Sequence, residues 1–338
     1  MDIGITMPTH GLLERDEQNF YLQRLEPQNV RPYEFAQLAD RLGFHSLWFS
    51  DHVVMGADPD TYYPPNESGR KAYPYRPTMF DAVVVMGGLA AVTKDIKMAP
   101  SVHIAPYRHP LATAHQFATA DYLSQGRLIM TAGIGWEEEE FRALGADFKN
   151  KAKITEECIE IWKRAWSDEL ISFDGQFFQI KNVTMDPKPW QQPRPPIYFG
   201  AVTELGSKRA ARTSDGLYTV HLEPYPNTAI WKGSMEAAIA EGARVGKDMS
   251  SFWFGSFCSC KPVGAGDPLA AQERRPTLSG TSEQILEEIA RFGEVGYHHL
   301  TLHVVCDSGD ISELFELTQK LGEEVLPEAK KIPTRSLV

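Results

Sequence analysis

The chain has 338 residues, of which 42% are hydrophobic and 23% charged, values that exclude an intrinsically disordered chain and supply enough apolar side chains for a large core. Its 34 basic and 45 acidic residues leave a formal charge of −11 with no Lys/Arg-rich block, which argues against a nucleic-acid partner. An anionic small ligand stays compatible with that charge, because backbone N–H groups at helix N-termini bind phosphate without a positive surface.

Short β-like runs alternate with amphipathic helical runs, the signature of a parallel sheet. In chain order, residues 2–7 read as a first strand, 32–43 as a helix opened by Pro32 and stopped by Gly43, 46–50 as strand two and 79–93 as the next helix. Residues 96–102 give strand three, 109–124 its helix, 127–135 strand four, and 153–166 a further helix after the acidic EEEEFRALG segment. Strand five falls at 195–201 with helix 204–213, strand six at 215–220 with helix 228–246, and strand seven at 251–260 with helix 282–296. Strand eight covers 297–305, before a closing helix. Eight such units, with no Gly-rich nucleotide fingerprint after the first strand, predict a (β/α)8 TIM barrel in one domain over 1–338 rather than an open doubly wound sheet.

Three segments break the alternation and read as loop insertions: about 52–77, 168–194 and 261–281. The middle one carries a predicted hairpin around Asp174-Gly175, and the end of the chain, about 328–338, reads as a frayed tail. No run approaches the ~18 apolar residues of a membrane span, and the N-terminus lacks a basic segment followed by an apolar core, so a cytoplasmic protein is expected. Cys158, Cys258, Cys260 and Cys306 fit neither a disulfide framework nor a paired zinc motif and read as reduced, buried thiols.

A barrel builds its site where the C-terminal ends of its strands meet. Asp51 and His52 stand together at the end of strand two, a carboxylate beside the side chain best suited to moving protons near neutral pH. The alternative is a turn cap at Asp51 with His52 packed against Tyr62 or Tyr63. Past strand three, Ser101 and Val102 reach the mouth, followed by His103, Arg108 and His109, with His109 before Pro110 suiting a helix start. Gly133 and Gly135 after strand four leave room for a flat ligand, while Glu137 to Glu140 suit the first turn of a helix. Gly200, Ala201 and a capping Thr203 after strand five could hold a phosphate. His10, His221 and His303 are scattered candidates without metal-ligand spacing, so no metal is expected. Tyr62, Tyr63, Tyr73 and Tyr75 suggest an apolar lid with hydroxyl handles.

Taken together, SLWFSDHVVMG, SVHIAPYRHP with ATADYLSQGRL, AGIGWEEEEFRALG and DPKPWQQPRPPIYFGA resemble the bacterial-luciferase-like superfamily of flavin and deazaflavin enzymes, in order from about residue 2 to 325. DHVVMG followed by a Tyr/Pro-rich insertion is most similar to the branch of probable coenzyme F-420-dependent oxidoreductases. The resemblance implies hydride transfer between F-420 and a small organic substrate, with the ring lying in the barrel mouth. It implies a non-prolyl cis peptide at Ser101–Val102 behind the ring, Gly133, Gly135 and Trp136 bordering it, and Gly200, Ala201 and Val202 near the phosphate. Asp51 would bind a polar part of the cofactor, His52 would donate a proton, and Glu138 or Glu140 would be a second acid. The other branch implies an FMN-dependent monooxygenase using O2 and a separate flavin reductase; a non-catalytic cofactor-binding barrel is the third alternative. Relatives imply a homodimer. The chain departs from the family after strand five, where GAVTE replaces a glycine run and puts Glu204 near the expected phosphate.

Overall fold

The computed structural model describes residues 1–15, 20–57, 61–66, 68–222 and 225–337. Its core is a barrel of eight parallel strands: Asp2–Thr6, Ser46–Phe49, Lys97–Pro100 continued by His103–Ile104, Met130–Gly133, Ile197–Gly200, Gly216–His221, Trp253–Pro262 and His299–Val304. Each strand pairs with its successor, and the eighth returns to the first with His299 opposite Asp2. Strand three meets strand four twice, at a Met98–Leu128 bridge and at His103 opposite Ala132. The barrel expected from the alternation is therefore the one that forms.

Local sequence explains the boundaries. The helix Pro32–Leu42 opens on proline and ends at Gly43, which takes a left-handed φ of 81° that favours glycine. The helix Ala82–Val92 starts where Asp81 accepts from the N–H groups of Val83 and Val84, and Ser282–Val295 starts on a reciprocal Thr281/Gln284 capping box. Near the strand starts, stacked aromatic rings plug the barrel: Trp48 on Tyr218 at 4.4 Å and Tyr198 on Trp253 at 3.9 Å between centroids. The plug confines open space to the opposite, C-terminal end of the strands.

The three insertions have different fates. Segment 52–77 follows strand two at the C-terminal end and puts Thr61 to Pro65 and Tyr73 against the cavity described below; residues 58–60 and 67 lie outside the described residues. Segment 168–194 forms the hairpin Ile171–Asp174 with Gln179–Val183, which links a helix to the next strand and packs outside the barrel, its turn donating to Glu157 and placing Phe178 edge-on to His109. Segment 261–281 adds the short strand Ser279–Gly280 beside Lys261 and Pro262.

Two features depart from the sequence reading. An antiparallel hairpin, Leu12–Arg15 with Phe20–Gln23, stands between strand one and the first helix, and its Leu13, Phe20 and Leu22 pack with Tyr63, Ala72 and Val305 into a small roof cluster. The expected frayed tail is docked: Arg335 N–H donates to Gly293 O at 2.9 Å, Thr334 Oγ1 to Tyr297 O at 3.0 Å, and the N-terminal ammonium to Ile332 O at 2.7 Å. Backbone donors with fixed partners hold that end in place. No helix among the described residues is long and apolar enough to cross a membrane.

Candidate active site

The roof cluster and the C-terminal strand ends enclose a cavity of about 540 Å³, a size that holds a cofactor or drug-sized molecule. Its floor is made by strand three, which breaks at a cis Ser101–Val102 peptide and turns Val102 into the barrel mouth. The Val102 side chain fills the notch between strands four and five. A Cβ on Gly133 would lie 2.1 Å from Val102 Cγ2, and one on Gly200 would lie 2.6 Å from Val102 Cγ1. These two glycines thus make room for the Val102 side chain. The reading that Gly133 simply leaves space for a flat ligand is corrected to that extent, although Gly133 and Gly200 both still line the cavity together with Gly135, Ala201 and Val202.

On the strand-two wall, His52 and Glu140 form a buried pair, with Nδ1 2.6 Å from Oε2. The Glu140 carboxylate is enclosed by donors: Tyr107 OH on Oε2 at 2.7 Å, Val53 N–H on Oε1 at 2.7 Å and Val54 N–H on Oε1 at 3.2 Å. Burial first, then the adjacent Glu140 carboxylate, raise the Tyr107 phenol far above its ordinary range, so it stays a donor. With Nδ1 fixed on the carboxylate, Nε2 is the ring nitrogen of His52 that can act on a ligand. Trp136 meets the His52 ring edge-on at 6.1 Å and lies parallel to Tyr73 at 6.5 Å.

The EEEE run divides by helical geometry. In the helix Glu138–Leu144 and at its cap, Glu137 and Glu140 are three residues apart and both turn inward, where they are fully buried. Glu138 is 54% exposed and approaches Arg142, so the expectation that it could serve as a second acid is corrected: it faces away from the cavity. Glu137, seen in the sequence only as part of a capping cluster, accepts from Gly56 N–H at 2.9 Å and lies 3.7 Å from Lys71 Nζ. Burial raises its pKa, and its Oε2 has no hydrogen-bond partner. His52, Glu137 and Glu140 offer ligand atoms within 4.8 Å of one another, but Glu140 and His52 Nδ1 are already committed to one another and to the loop N–H groups.

Asp51 is buried under this wall with every oxygen engaged. Arg108 donates to both oxygens at 2.8 Å, Ile104 N–H donates at 3.0 Å, and His103 Nδ1 lies 2.9 Å away. Burial opposes its charge, but His103 and Arg108 outweigh burial and carry the carboxyl well below its usual range. It therefore remains an anion and ties strand two to the segment after strand three. The sequence expectation had it binding the cofactor directly; its carboxylate is instead committed to protein donors. His109 caps its helix, as expected, by accepting from Leu111 N–H.

The far end of the cavity, past strands four and five, carries two basic side chains, Lys151 and Arg209, the latter paired with Glu156 at 2.5 Å. Thr203 caps the helix Glu204–Thr213 by accepting from Gly206 N–H at 3.1 Å, and Thr203, Gly206, Arg209 and Lys151 all line the cavity. Glu204 does not line it; its exposed carboxylate pairs with Lys208 at 2.5 Å. Burial lowers the Lys151 pKa to about 8 despite the opposing pull of Glu138. Neither Lys151 nor Arg209 was singled out from sequence, since each is one basic residue in an amphipathic helix and only the fold turns it to the cavity. The cavity, its cationic end and its exposed helix N-terminus match the needs of a flat redox ring with an anionic side chain.

A parallel barrel with a buried histidine–glutamate pair beside such a cavity has the architecture of a barrel enzyme, and the fold alone does not fix its chemistry. Comparison with known proteins gives the family: the luciferase-like monooxygenase family model matches residues 1–262, and the chain belongs to it. It is 26% identical over 335 residues to an F420-dependent glucose-6-phosphate dehydrogenase of Microbacterium testaceum, covering 88% of this chain and 93% of that protein. It is also 28% identical over 189 residues to an FMNH(2)-dependent dimethylsulfone monooxygenase of Pseudomonas putida, covering 55% of this chain and 47% of that protein. The chain thus spans about half the length of this second relative. Among solved structures, an F420-dependent secondary alcohol dehydrogenase in complex with an F420-acetone adduct superposes with a TM-score of 0.71 at 19% identity, covering 97% of this chain and 98% of that one. The oxygenating constituent of 3,6-diketocamphane monooxygenase from Pseudomonas putida, in complex with FMN, also gives 0.71, at 16% identity and 99% coverage of both chains. The family includes relatives that use either cofactor.

Proposed function

We propose that the protein is an oxidoreductase that moves hydride between coenzyme F-420 and a small organic substrate, with His52 exchanging the accompanying proton. The observation that carries this reading is the His52–Glu140 pair on the cavity wall, 2.6 Å apart and buried. The near full-length similarity to an F420-dependent dehydrogenase supports it, whereas the FMNH(2)-dependent relative matches over 55% of the chain.

Coenzyme F-420 supplies the hydride-exchanging carbon, and the protein supplies position and a proton. Val102, Gly133, Gly135 and Trp136 would border its ring, with Ser101 at the edge. Gly200, Ala201, Val202, Thr203, Lys151 and Arg209 would hold its anionic side chain. Asp51 acts through Arg108 and the Ile104 N–H to fix strand three beneath the ring. Glu140 holds His52 by Nδ1, so that Nε2 can accept a proton from an alcohol or return it to a carbonyl oxygen. Tyr107 and the N–H groups of Val53 and Val54 hydrogen-bond the Glu140 carboxyl and fix its position.

The second reading is an FMN-dependent monooxygenase fed by a separate reductase, which the similarity to the dimethylsulfone monooxygenase favours. Titrating the purified protein into F-420 and into FMN, followed by fluorescence, separates the two. Saturable F-420 binding without an FMN response is expected. The reverse result contradicts the F-420 reading, and silence with both leaves a barrel without either cofactor.

Lys151 gives this titration a pH signature. A phosphate beside its ammonium raises the lysine pKa in the complex, so binding takes up a proton above the free value of about 8. F-420 affinity should be flat below that pH and fall above it, while Lys151→Arg should extend the flat region upward; a pH-independent Kd up to pH ~10 contradicts this contact.

We also propose a homodimer and a cytoplasmic location. The four cysteines are buried thiols rather than disulfides, which suits a reducing compartment. The helices Ala82–Val92 and Pro110–Leu123 present Val84, 75% exposed, and Leu123, 63% exposed, as the dimer face. Sedimentation should give a dimer for the wild type and a monomer for Val84→Glu; a monomeric wild type contradicts it.

A further inference from the structure

The two ends of the cavity differ in charge. Among the described residues that line it, the lysines and arginines are Lys151 and Arg209, both at the end past strands four and five. The other end, beside strands one and eight and under the roof hairpin, is lined by His10, His303, Phe20, Leu22, Tyr73 and Phe257. Segments 16–19, 58–60, 67 and 223–224 lie outside the described residues, and their sequences contain no lysine or arginine.

The histidines there are not cations. Burial, followed by the nearby His52, lowers His10 to about 4, and burial with His10 beside it holds His303 well below its ordinary value. Their surroundings fit neutral rings. His10 meets His303 edge-on at 5.3 Å, and His303 meets Phe257 edge-on at 5.1 Å. His10 Nδ1 is 3.1 Å from Ser50 Oγ, which fixes its ring.

His303 differs from His10 in its hydrogen bonding. It is 5% exposed, lines the cavity, and its Nδ1 has no hydrogen-bond partner; the Thr6 hydroxyl on the same wall has none either. Both atoms are sealed from solvent without a partner, which is unfavourable in the free protein, and a ligand oxygen would satisfy them once the side chains turn toward the cavity that His303 and Thr6 line.

We infer that this His10/His303 end is the substrate subsite, and that it takes an uncharged, mainly apolar alcohol or ketone whose oxygen is bonded by the His10 and His303 rings. The inference rests on the F-420 reading for the assignment of the cationic end to the cofactor. It separates this chain from the sugar-phosphate oxidation printed in the name of its Microbacterium testaceum relative, because no lysine or arginine among the described residues lines this end, and Arg15 behind it is engaged by Ser259 Oγ and Leu222 O. In the oxidation, the alcohol carbon gives a hydride to the deazaflavin and its hydroxyl gives a proton to His52, leaving the ketone. His52 lies on the adjoining wall, with its ring 5.4 Å from that of Tyr73.

The test is calorimetric titration of protein already loaded with F-420, using cyclohexanol, menthol, borneol and their ketones on one side and glucose 6-phosphate on the other. The neutral compounds are expected to bind and glucose 6-phosphate to give no binding. His303→Phe should weaken the neutral ligands roughly tenfold, the loss of about one hydrogen bond. His303→Gln, which keeps a donor and an acceptor, should retain most of the affinity and so distinguish loss of the bond from a disturbed fold. Binding of glucose 6-phosphate, failure of every neutral compound, or equal affinities in wild type and His303→Phe would each overturn the inference. Because loading is measured first, a protein that takes up F-420 but fails here leaves the cofactor reading standing. A protein that does not load fails that reading instead, and the same titration on unloaded protein still decides the subsite.

Discussion

His52→Ala is expected to lower kcat for F-420-linked turnover by roughly 10²–10⁴-fold, the usual contribution of a positioned general acid or base. Cofactor affinity should change little, because the proposed seats of the ring, on Val102, and of the anionic chain, at Thr203, Arg209 and Lys151, do not include His52. The truncation also leaves Glu140 with three of its four donors, Tyr107 OH and the Val53 and Val54 N–H groups, so the wall should survive. Single-turnover reduction of F-420 separates the step from product release. Unchanged turnover would remove His52 from the mechanism.

Glu140 should give the second large effect, and its two substitutions should differ in kind. Glu140→Ala removes the acceptor of the buried His52 Nδ1 and of three part-buried donors, Tyr107 OH and the Val53 and Val54 N–H groups. Each buried donor left without a partner costs about 1–3 kcal/mol, so a stability loss on the order of 3 kcal/mol or more is expected in denaturant unfolding. Glu140→Gln keeps an acceptor for the N–H groups but can place an amide NH2 against His52 Nδ1. That favours the tautomer with the proton on Nε2, which can no longer accept one from an alcohol. The folded Gln variant should therefore lose alcohol oxidation by roughly 10²-fold or more while melting close to wild type. Wild-type activity in Glu140→Gln would show that the carboxylate does not set the histidine's tautomer.

The sequence and the structure agree most closely where periodicity is long. Alternating strands and helices from residue 2 to residue 329 gave the barrel, because buried parallel strands and amphipathic helices leave distinct hydrophobic patterns. The hairpin Leu12–Arg15 with Phe20–Gln23 was missed because four-residue strands flanking a polar stretch carry too little pattern. At the site, the Asp51-His52 position was legible from its place at a strand end. The choice among four consecutive glutamates was not made, although a three-residue spacing places Glu137 and Glu140 on one helical face. The partners of Asp51 and the cationic end lay beyond reach, since Arg108, Lys151 and Arg209 are assembled only by barrel closure. The role of Gly133 and Gly200 depends on where Val102 points, which no local pattern encodes.

The most direct test of the whole account is a crystal structure of the protein with coenzyme F-420. The account predicts the ring resting on Val102 with its hydride-exchanging carbon facing the His52 side, and the anionic chain running to Thr203, Arg209 and Lys151. A ring or anionic chain seated against His10 and His303, with the Lys151 end empty, would contradict it.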